Sequence, residues 1–241
     1  MALDSMVYSC AGGREINEDS AGMTDLMNGK LFVLADGLGG HRFGELASGC
    51  AADALLNAPR PAPGCDLSDW LLQQIGAANE RLLRLQKEKN AMMKSTIVAL
   101  FVQEKSAYWA HVGDSRLYYF HQDVLFAVTE DHSVAYRKYK AGEITKNQIG
   151  QDADQSRLIK TLGNPDHWQP EQNSCLNRLE PGDAFLLCTD GVWEYLHEEE
   201  ILIDLLKADT ARNWAELLLL RIMERVQPGN DNLSLITVMV R

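Results

Sequence analysis

Asp36-Gly37, Asp190-Gly191 and Asp231-Asn232 are the pairs in this 241-residue chain whose types and placement could do chemistry. The first ends the apolar run within LFVLADGLGGH (31–41), the second ends FLLCTDGVW (185–193), and the third stands directly before LSLITVMV (233–240). Asp-Gly after an apolar run is also the commonest hairpin signal, so a single copy carries little. Three aspartates at the ends of apolar strands can converge on one edge of a sheet structure, where they would form a carboxylate cage for hard cations. Arg14, Glu18 and Asp19 lie together in the polar stretch REINEDS (14–20), read by itself as an exposed loop. Asp114 interrupts the run SAYWAHVGDSRLYYF (106–120) just after a glycine, where an acid is either solvent-facing or part of a site.

Mg²⁺ and Mn²⁺ take oxygen ligands in near-octahedral geometry and retain water, which suits carboxylates arriving from separate strand ends. Two such ions about 3.5 to 4 Å apart can share a carboxylate and turn a water into a hydroxide-like nucleophile near neutral pH. A phosphate ester is the natural target, because the same charge neutralises its equatorial oxygens. An arginine adds a planar, permanently charged fork that lysine does not match. Arg14, beside Glu18 and Asp19, is placed for that task.

The elements that must position these residues follow from the pattern. Short strands are expected at 6–10 and 30–36. A helix over 43–57 comes next, then a Pro-rich linker at 60–65. Asp66 or Ser68 caps a second helix, with Leu71, Ile75, Ala78, Leu82 and Leu85 on one face. Runs 95–103, 106–120 and 124–130 read as an antiparallel meander, with Gly113 marking a bulge or a close backbone approach. The polar segment at about 131–163 carries Arg137, Lys138, Lys140, Lys146 and Lys160. It is either a surface excursion or a mobile flap, with a first helix capped by Ser133 and ended by Gly142. Turns at 164–166 and 180–183 flank a strand at 175–179. A buried strand at 184–189, helices at 198–207 and 213–226, and a strand at 233–240 complete the chain. No internal repeat or long linker is visible, so one domain over 1–241 is expected.

A hydrophobic content of 46% supports a proper core. The 34 acidic against 23 basic residues give a net charge of −11 and a pI near 5.0, which argues against nucleic acid or anionic membrane as the main partner. Cys10, Cys50, Cys65, Cys175 and Cys188 are odd in number and contain no CxxC pair, as expected of reduced thiols in a cytoplasmic protein. The first residues lack the pattern of a secretory signal, and no apolar run approaches the roughly 18 to 20 residues of a membrane span.

Taken together, REINED (14–19), ADGLGGH (35–41), ST (95–96), HVGDSR (111–116), TLG (161–163), LCTDG (187–191) and DNLS (231–234) resemble, in order and spacing, the metal-dependent protein phosphatase family of the 2C type, in its small stand-alone bacterial branch. The resemblance implies an α+β fold, a central sandwich of two antiparallel sheets flanked by helices in four αββα layers. It implies two Mn²⁺ or Mg²⁺ ions and a third, weaker one. In that family the aspartate matching Asp36 bridges the metals, and the carbonyl matching Gly37 joins the second ion. Asp190 and Asp231 match further ligands, Glu18 and Asp19 the acidic pair of the second ion, and Asp114 a ligand of the third. Arg14 matches the phosphate-binding arginine, and 131–163 the variable flap.

Leu38 departs from the animal members, which have a histidine there that is proposed as general acid. The small bacterial members usually carry an apolar residue. The leaving-group proton is then expected from a water on an ion held by Asp114, with His41 as a weaker substitute. The implied activity is hydrolysis of phosphoserine and phosphothreonine on proteins, opposing a bacterial Ser/Thr kinase, with a resemblance in gross features to phosphatases of type VI secretion control. The alternatives are an inactive phosphoprotein-binding module, which should have lost metal aspartates, and a hydrolase of small phosphomonoesters. Cys188 lacks the phosphate-cradling loop of a cysteine phosphatase. A monomer is expected.

Overall fold

A computed structural model of the chain describes residues 1–27, 29–39, 43–176 and 178–241, and of 173–176 the backbone alone. The candidate His41 lies outside the described residues. The apolar runs become strands of two antiparallel sheets. One is ordered β1 (Leu3–Cys10), β11 (Leu233–Val240), β10 (Ala184–Cys188), β7 (Arg116–His121) and β8 (Val124–Val128). The other is ordered β2 (Asp19–Leu26), β3 (Gly29–Leu38), β5 (Ile97–Gln103), β6 (Ser106–Val112) and β9 (Glu171–Leu176), with the short β4 (Lys94–Ser95) paired to the end of β3.

The alternation along β3 explains the layering. Leu31, Val33 and Ala35 pack with Ala47, Ala51 and Leu55 of α1 (Phe43–Leu56) and with Leu71, Ile75 and Leu82 of α2 (Leu67–Lys89). Phe32 and Leu34, on the other face, meet Phe185, Leu187, Ile236 and Val238 of the opposite sheet. That sheet turns Leu186, Cys188 and Leu235 outward onto α5 (Glu198–Lys207) and α6 (Ala211–Met223), where Ile201, Trp214, Leu218 and Ile222 receive them. Inner strands buried on both faces read as continuous apolar runs, which is why they were legible as strands without strict alternation. The Asp66 carboxylate caps α2 by accepting from the Ser68 and Asp69 N–H groups.

Three expectations are corrected. The stretch after Arg14 is not all loop, because β2 begins at Asp19 and pairs with β3 in register from Asp19↔Asp36 to Leu26↔Gly29. As an edge strand, partly exposed and carrying Gly22, it needs few apolar residues and gives little pattern. The meander at 95–130 is instead two hairpins in opposite sheets, β5–β6 and β7–β8. Gly113 lies in the crossover between them, so of the two expectations at this glycine the close approach holds and the bulge does not. Its φ of +103° suits glycine, and a Cβ there would crowd the Thr96 side chain. The strand expected at 175–179 lies earlier, at β9. Within 131–163 the structure places α3 (Val134–Lys140), capped by Ser133 Oγ accepting from Tyr136 N–H at 3.1 Å, and a 3₁₀ turn (Lys146–Gln151).

Between the sheets Phe185 stacks on Tyr119 at 4.9 Å between centroids and meets Trp109 edge-on at 6.1 Å. Phe185→Ala should therefore cost about 3 to 5 kcal/mol of stability, measured by denaturant unfolding, with the unfolding slope unchanged.

Candidate active site

Both sheets end at the same place. Asp36 lies near the end of β3, and its main chain is held from three directions. Its N–H donates to Thr96 Oγ1 at 2.9 Å, while its carbonyl accepts from Thr96 N–H at 2.8 Å and from Ser95 Oγ at 2.9 Å. Asp19 stands beside it across the β2–β3 ladder and accepts from Thr189 Oγ1 at 3.1 Å. Thr189 in turn follows β10 of the opposite sheet and precedes the one-turn helix α4 (Asp190–Trp193), an element with no separate signal in the sequence. Gly191 N–H donates back to Asp190 Oδ1 at 2.7 Å.

The backbone must pass very close at Gly37. A Cβ there would collide with the Gly44 carbonyl at the start of α1, so β3 and α1 close on one another only with glycine at that point. Gly37 N–H donates to the Glu18 carbonyl at 3.0 Å. Asn232 ties the 11–18 loop to β11. Its Oδ1 accepts from Glu18 N–H at 2.8 Å, and its Nδ2 donates to the carbonyls of Ala11 and Ile16 at 2.9 and 3.0 Å. A polar residue after an aspartate at the start of a strand is the only sign of it in sequence.

Arg14, Glu18, Asp36, Gly37, Asp190 and Asp231 line one cleft of about 920 Å³, together with Glu15, Ile16, Leu38, Gly39, Ser156 and Asn232. Asp19 and Asp114 are buried, at 7% and 5% exposure, and do not line that cleft. Their charge is nonetheless felt there. Burial and then the charges of Asp190, Asp19, Asp114 and Asp231 push the Asp36 carboxyl well above the usual range. Asp19 is raised to about 7 and Asp190 to about 6, both by burial first and neighbouring carboxylates after it. Asp114 rises for the same reasons, partly offset by Arg116.

Arg14 meets Asp231 instead of open solvent, donating from Nη2 to Oδ2 at 3.0 Å with both side chains about half exposed. Leu38 faces the cleft and brings no proton to it. Cys188 is fully buried with its thiol pushed up by burial, an inert environment. Cys10, Cys50 and Cys65 are also free thiols.

The donor chemistry is all oxygen: carboxylates and backbone carbonyls, with no thiolate or imidazole among the cleft residues. Among the described residues no three His, Cys, Asp or Glu side chains are already gathered into a chelating group. The mutual repulsion of the aspartates still places them within electrostatic reach of one another. Such a hard-oxygen set fits divalent Mg²⁺ or Mn²⁺.

Residues 8–227 match the model of the protein phosphatase 2C family. The chain belongs to the protein phosphatase 2C family. The serine/threonine phosphatase Stp of Listeria innocua is 27% identical over 232 residues, covering 93% of this chain and 90% of the relative. The structure of Stp1 from Staphylococcus aureus superposes with a TM-score of 0.88 at 28% identity, covering 100% of this chain and 96% of the other. The catalytic domain of the phosphatase PstP, in complex with two manganese ions, matches at a TM-score of 0.84 and 27% identity, covering 99% of each chain. PppA of Pseudomonas aeruginosa, described as a regulatory component of type VI secretion, shares the fold at 24% identity. The expected sandwich of two antiparallel sheets between helices is thus the fold of this phosphatase 2C chain. No helix among the described residues is long and apolar enough to cross a membrane.

The raised carboxyls make a pH prediction. With a folded pKa above the unfolded value of about 3.9, Asp190 favours the folded state at low pH, and that contribution is lost as pH rises through about 6. His111 and His132, lowered to about 4 by burial, act in the opposite sense between about pH 4 and 6.5. A comparison of variants removes them. In chelator, Asp190→Asn should gain stability over the parent chain, and the gain should grow from pH 5 to pH 7.5 in denaturant titrations.

Proposed function

We propose that residues 1–241 form one protein serine/threonine phosphatase domain that hydrolyses phosphoserine and phosphothreonine on proteins. The observation that carries it is the joining of the carboxylates with Arg14 around one open cleft. Asp36, the Gly37 carbonyl, Asp190, Asp231, Glu18 and Asp19 would hold two Mn²⁺ or Mg²⁺ ions, with Asp114 reserved for a third. Bound there, the ions would supply Lewis-acid polarisation of the phosphoryl oxygens and a nucleophilic water near neutral pH.

The chain's own residues do the rest. Arg14, half exposed in its pair with Asp231, exchanges a contact of about 0 to 1 kcal/mol for the doubly charged phosphate. Its fork orients the phosphoryl group against the aspartates. Ile16 and Leu38 add apolar surface to the otherwise polar cleft. The segment at 131–163 acts as a flap, reaching the cleft through Ser156.

Phosphorylated proteins of a bacterial Ser/Thr kinase are the proposed substrates, in the cytoplasm, for a monomer that needs neither nucleic acid nor membrane. The match to PppA speaks to fold alone, so the kinase to be opposed is one defined by the phosphoproteome. Retention of all the metal aspartates argues against an inactive binding module, and the open cleft favours a protein substrate over a small ester.

The test is Mn²⁺-dependent release of phosphate from a phosphothreonine protein, set beside a free phosphomonoester. Asp190→Asn and Asp231→Asn should each abolish turnover while keeping the circular dichroism of the parent chain. Turnover by the metal-stripped protein at the same rate would refute the reading. Arg14→Ala should lower kcat/KM by on the order of 10²-fold, with Arg14→Lys recovering only part, read from steady-state kinetics on a phosphothreonine peptide.

A further inference from the structure

Trp193 closes α4, three places after Asp190, and is buried. Its indole N–H donates to the main-chain carbonyl of Asp114 at 3.0 Å. The Arg116 guanidinium lies over its ring, 3.5 Å from the centroid. That guanidinium is itself fixed. Nε and Nη2 donate to the two oxygens of Asp131 at 2.8 and 2.6 Å, and Nη1 donates to Tyr118 Oη at 3.2 Å. A fork of this kind sets the plane of the guanidinium as well as its position.

Asp131 is where the 131–163 segment begins. The 3₁₀ turn of that segment then packs on the same indole, since a Cβ on Gly150 would sit 3.3 Å from Trp193 Cζ3 and 3.1 Å from Glu194 Cγ. One side chain therefore meets the segment at its root, through Arg116, and in its middle, at Gly150. Its N–H reaches Asp114, which lies in the crossover between β6 and β7, outside both ladders.

We infer that Trp193 is a positioning residue, through which packing of the 131–163 segment on the indole fixes where Asp114 stands relative to Asp36 and Asp190. The inference rests on the proposed role of Asp114 in holding a metal ion. A buried tryptophan with its N–H satisfied is otherwise an ordinary core residue, so the two must be separated by measurement.

Trp193→Phe keeps an aromatic ring under Arg116 and deletes the N–H. Gly150→Ala keeps every side chain of the assembly and presses the 3₁₀ turn against the ring. Both, their double variant and Asp114→Asn are compared with the parent chain by thermal unfolding, by calorimetric Mn²⁺ binding, and by kinetics on a phosphothreonine peptide over a range of Mn²⁺. Trp193→Phe should weaken the weakest Mn²⁺ step about tenfold or more. kcat at limiting Mn²⁺ should fall in proportion, with KM for the peptide within about twofold, the split expected when metal placement and not substrate binding is lost. Gly150→Ala should shift Mn²⁺ binding in the same direction, and the double variant should be no worse than Trp193→Phe, because both act through one indole.

A Trp193→Phe protein with a lowered melting temperature and unaltered Mn²⁺ binding overturns the proposal, as do fully additive losses in the double variant. Should Trp193→Phe fail to fold, Mn²⁺ binding by Gly150→Ala decides alone, and an unaltered isotherm overturns the proposal. If Asp114→Asn binds Mn²⁺ as the parent chain does, the role of Asp114 is wrong and the inference falls with it. If Asp114→Asn weakens binding and Trp193→Phe does not, only the coupling is wrong.

Discussion

Repulsion among carboxylates is the constraint on which the rest of this structure depends. Burial first, and then the charges of neighbouring carboxylates, raise the proton affinity of Asp36, Asp190, Asp19 and Asp114 at one end of the sandwich. Side chains free to move would separate. Here they cannot, because Asp36 and Asp19 are neighbours on a ladder, Asp190 begins a helix turn braced on the opposite sheet, and Asp231 enters β11. The apolar layers on either side of the sheets supply the cohesion that holds these strand ends together against their charges. A divalent cation held among them would reverse the sign of the interaction, so the strain is a property of the metal-free chain.

The supporting groups around the carboxylates divide into two kinds. Hydroxyls hold the strand-borne acids: Thr96 and Ser95 fix the main chain of Asp36, and Thr189 reaches Asp19 from the other sheet. That last bond stitches the two sheets at the site. Asn232 instead fixes the loop that carries Arg14 and Glu18, using its carbonyl and its amide at once. A buried amide with three partners is demanding of geometry, since loss of any partner leaves a polar group unsatisfied. Rigid strands and a tethered loop therefore meet at the cleft.

Much of this was legible in sequence for a physical reason. Buried strands must be apolar throughout, and chemistry-bearing acids at their ends break that pattern visibly, as at Asp36, Asp190 and Asp231. α2 announced itself by its stripe and by Asp66. What escaped was encoded between distant residues. β2 is a polar edge strand whose pairing is set by β3. The run from Ser106 to Phe120 reads as one strand because nothing local says that its two halves enter different sheets; only the φ of Gly113 separates them. The hydroxyls of Thr96 and Thr189, and the amide of Asn232, are ordinary polar residues until their partners are known. Conversely, the pairing of Arg14 with Asp231 could not be read from a loop and a strand start more than two hundred residues apart.

That pairing bears on how the cleft stays usable. An arginine placed to receive phosphate next to several carboxylates will be drawn to one of them whenever phosphate is absent. If the pair were buried, the guanidinium would be held by a desolvated charge contact and would have to break it to work. Both partners are about half exposed, so water screens the attraction and compensates either group when they separate. The Arg116–Asp131 pair is the contrast within the same chain: buried, bidentate and additionally covered by Trp193, it is built to stay. Solvent exposure, more than residue type, distinguishes the pair that a phosphate could open from the pair that holds the frame.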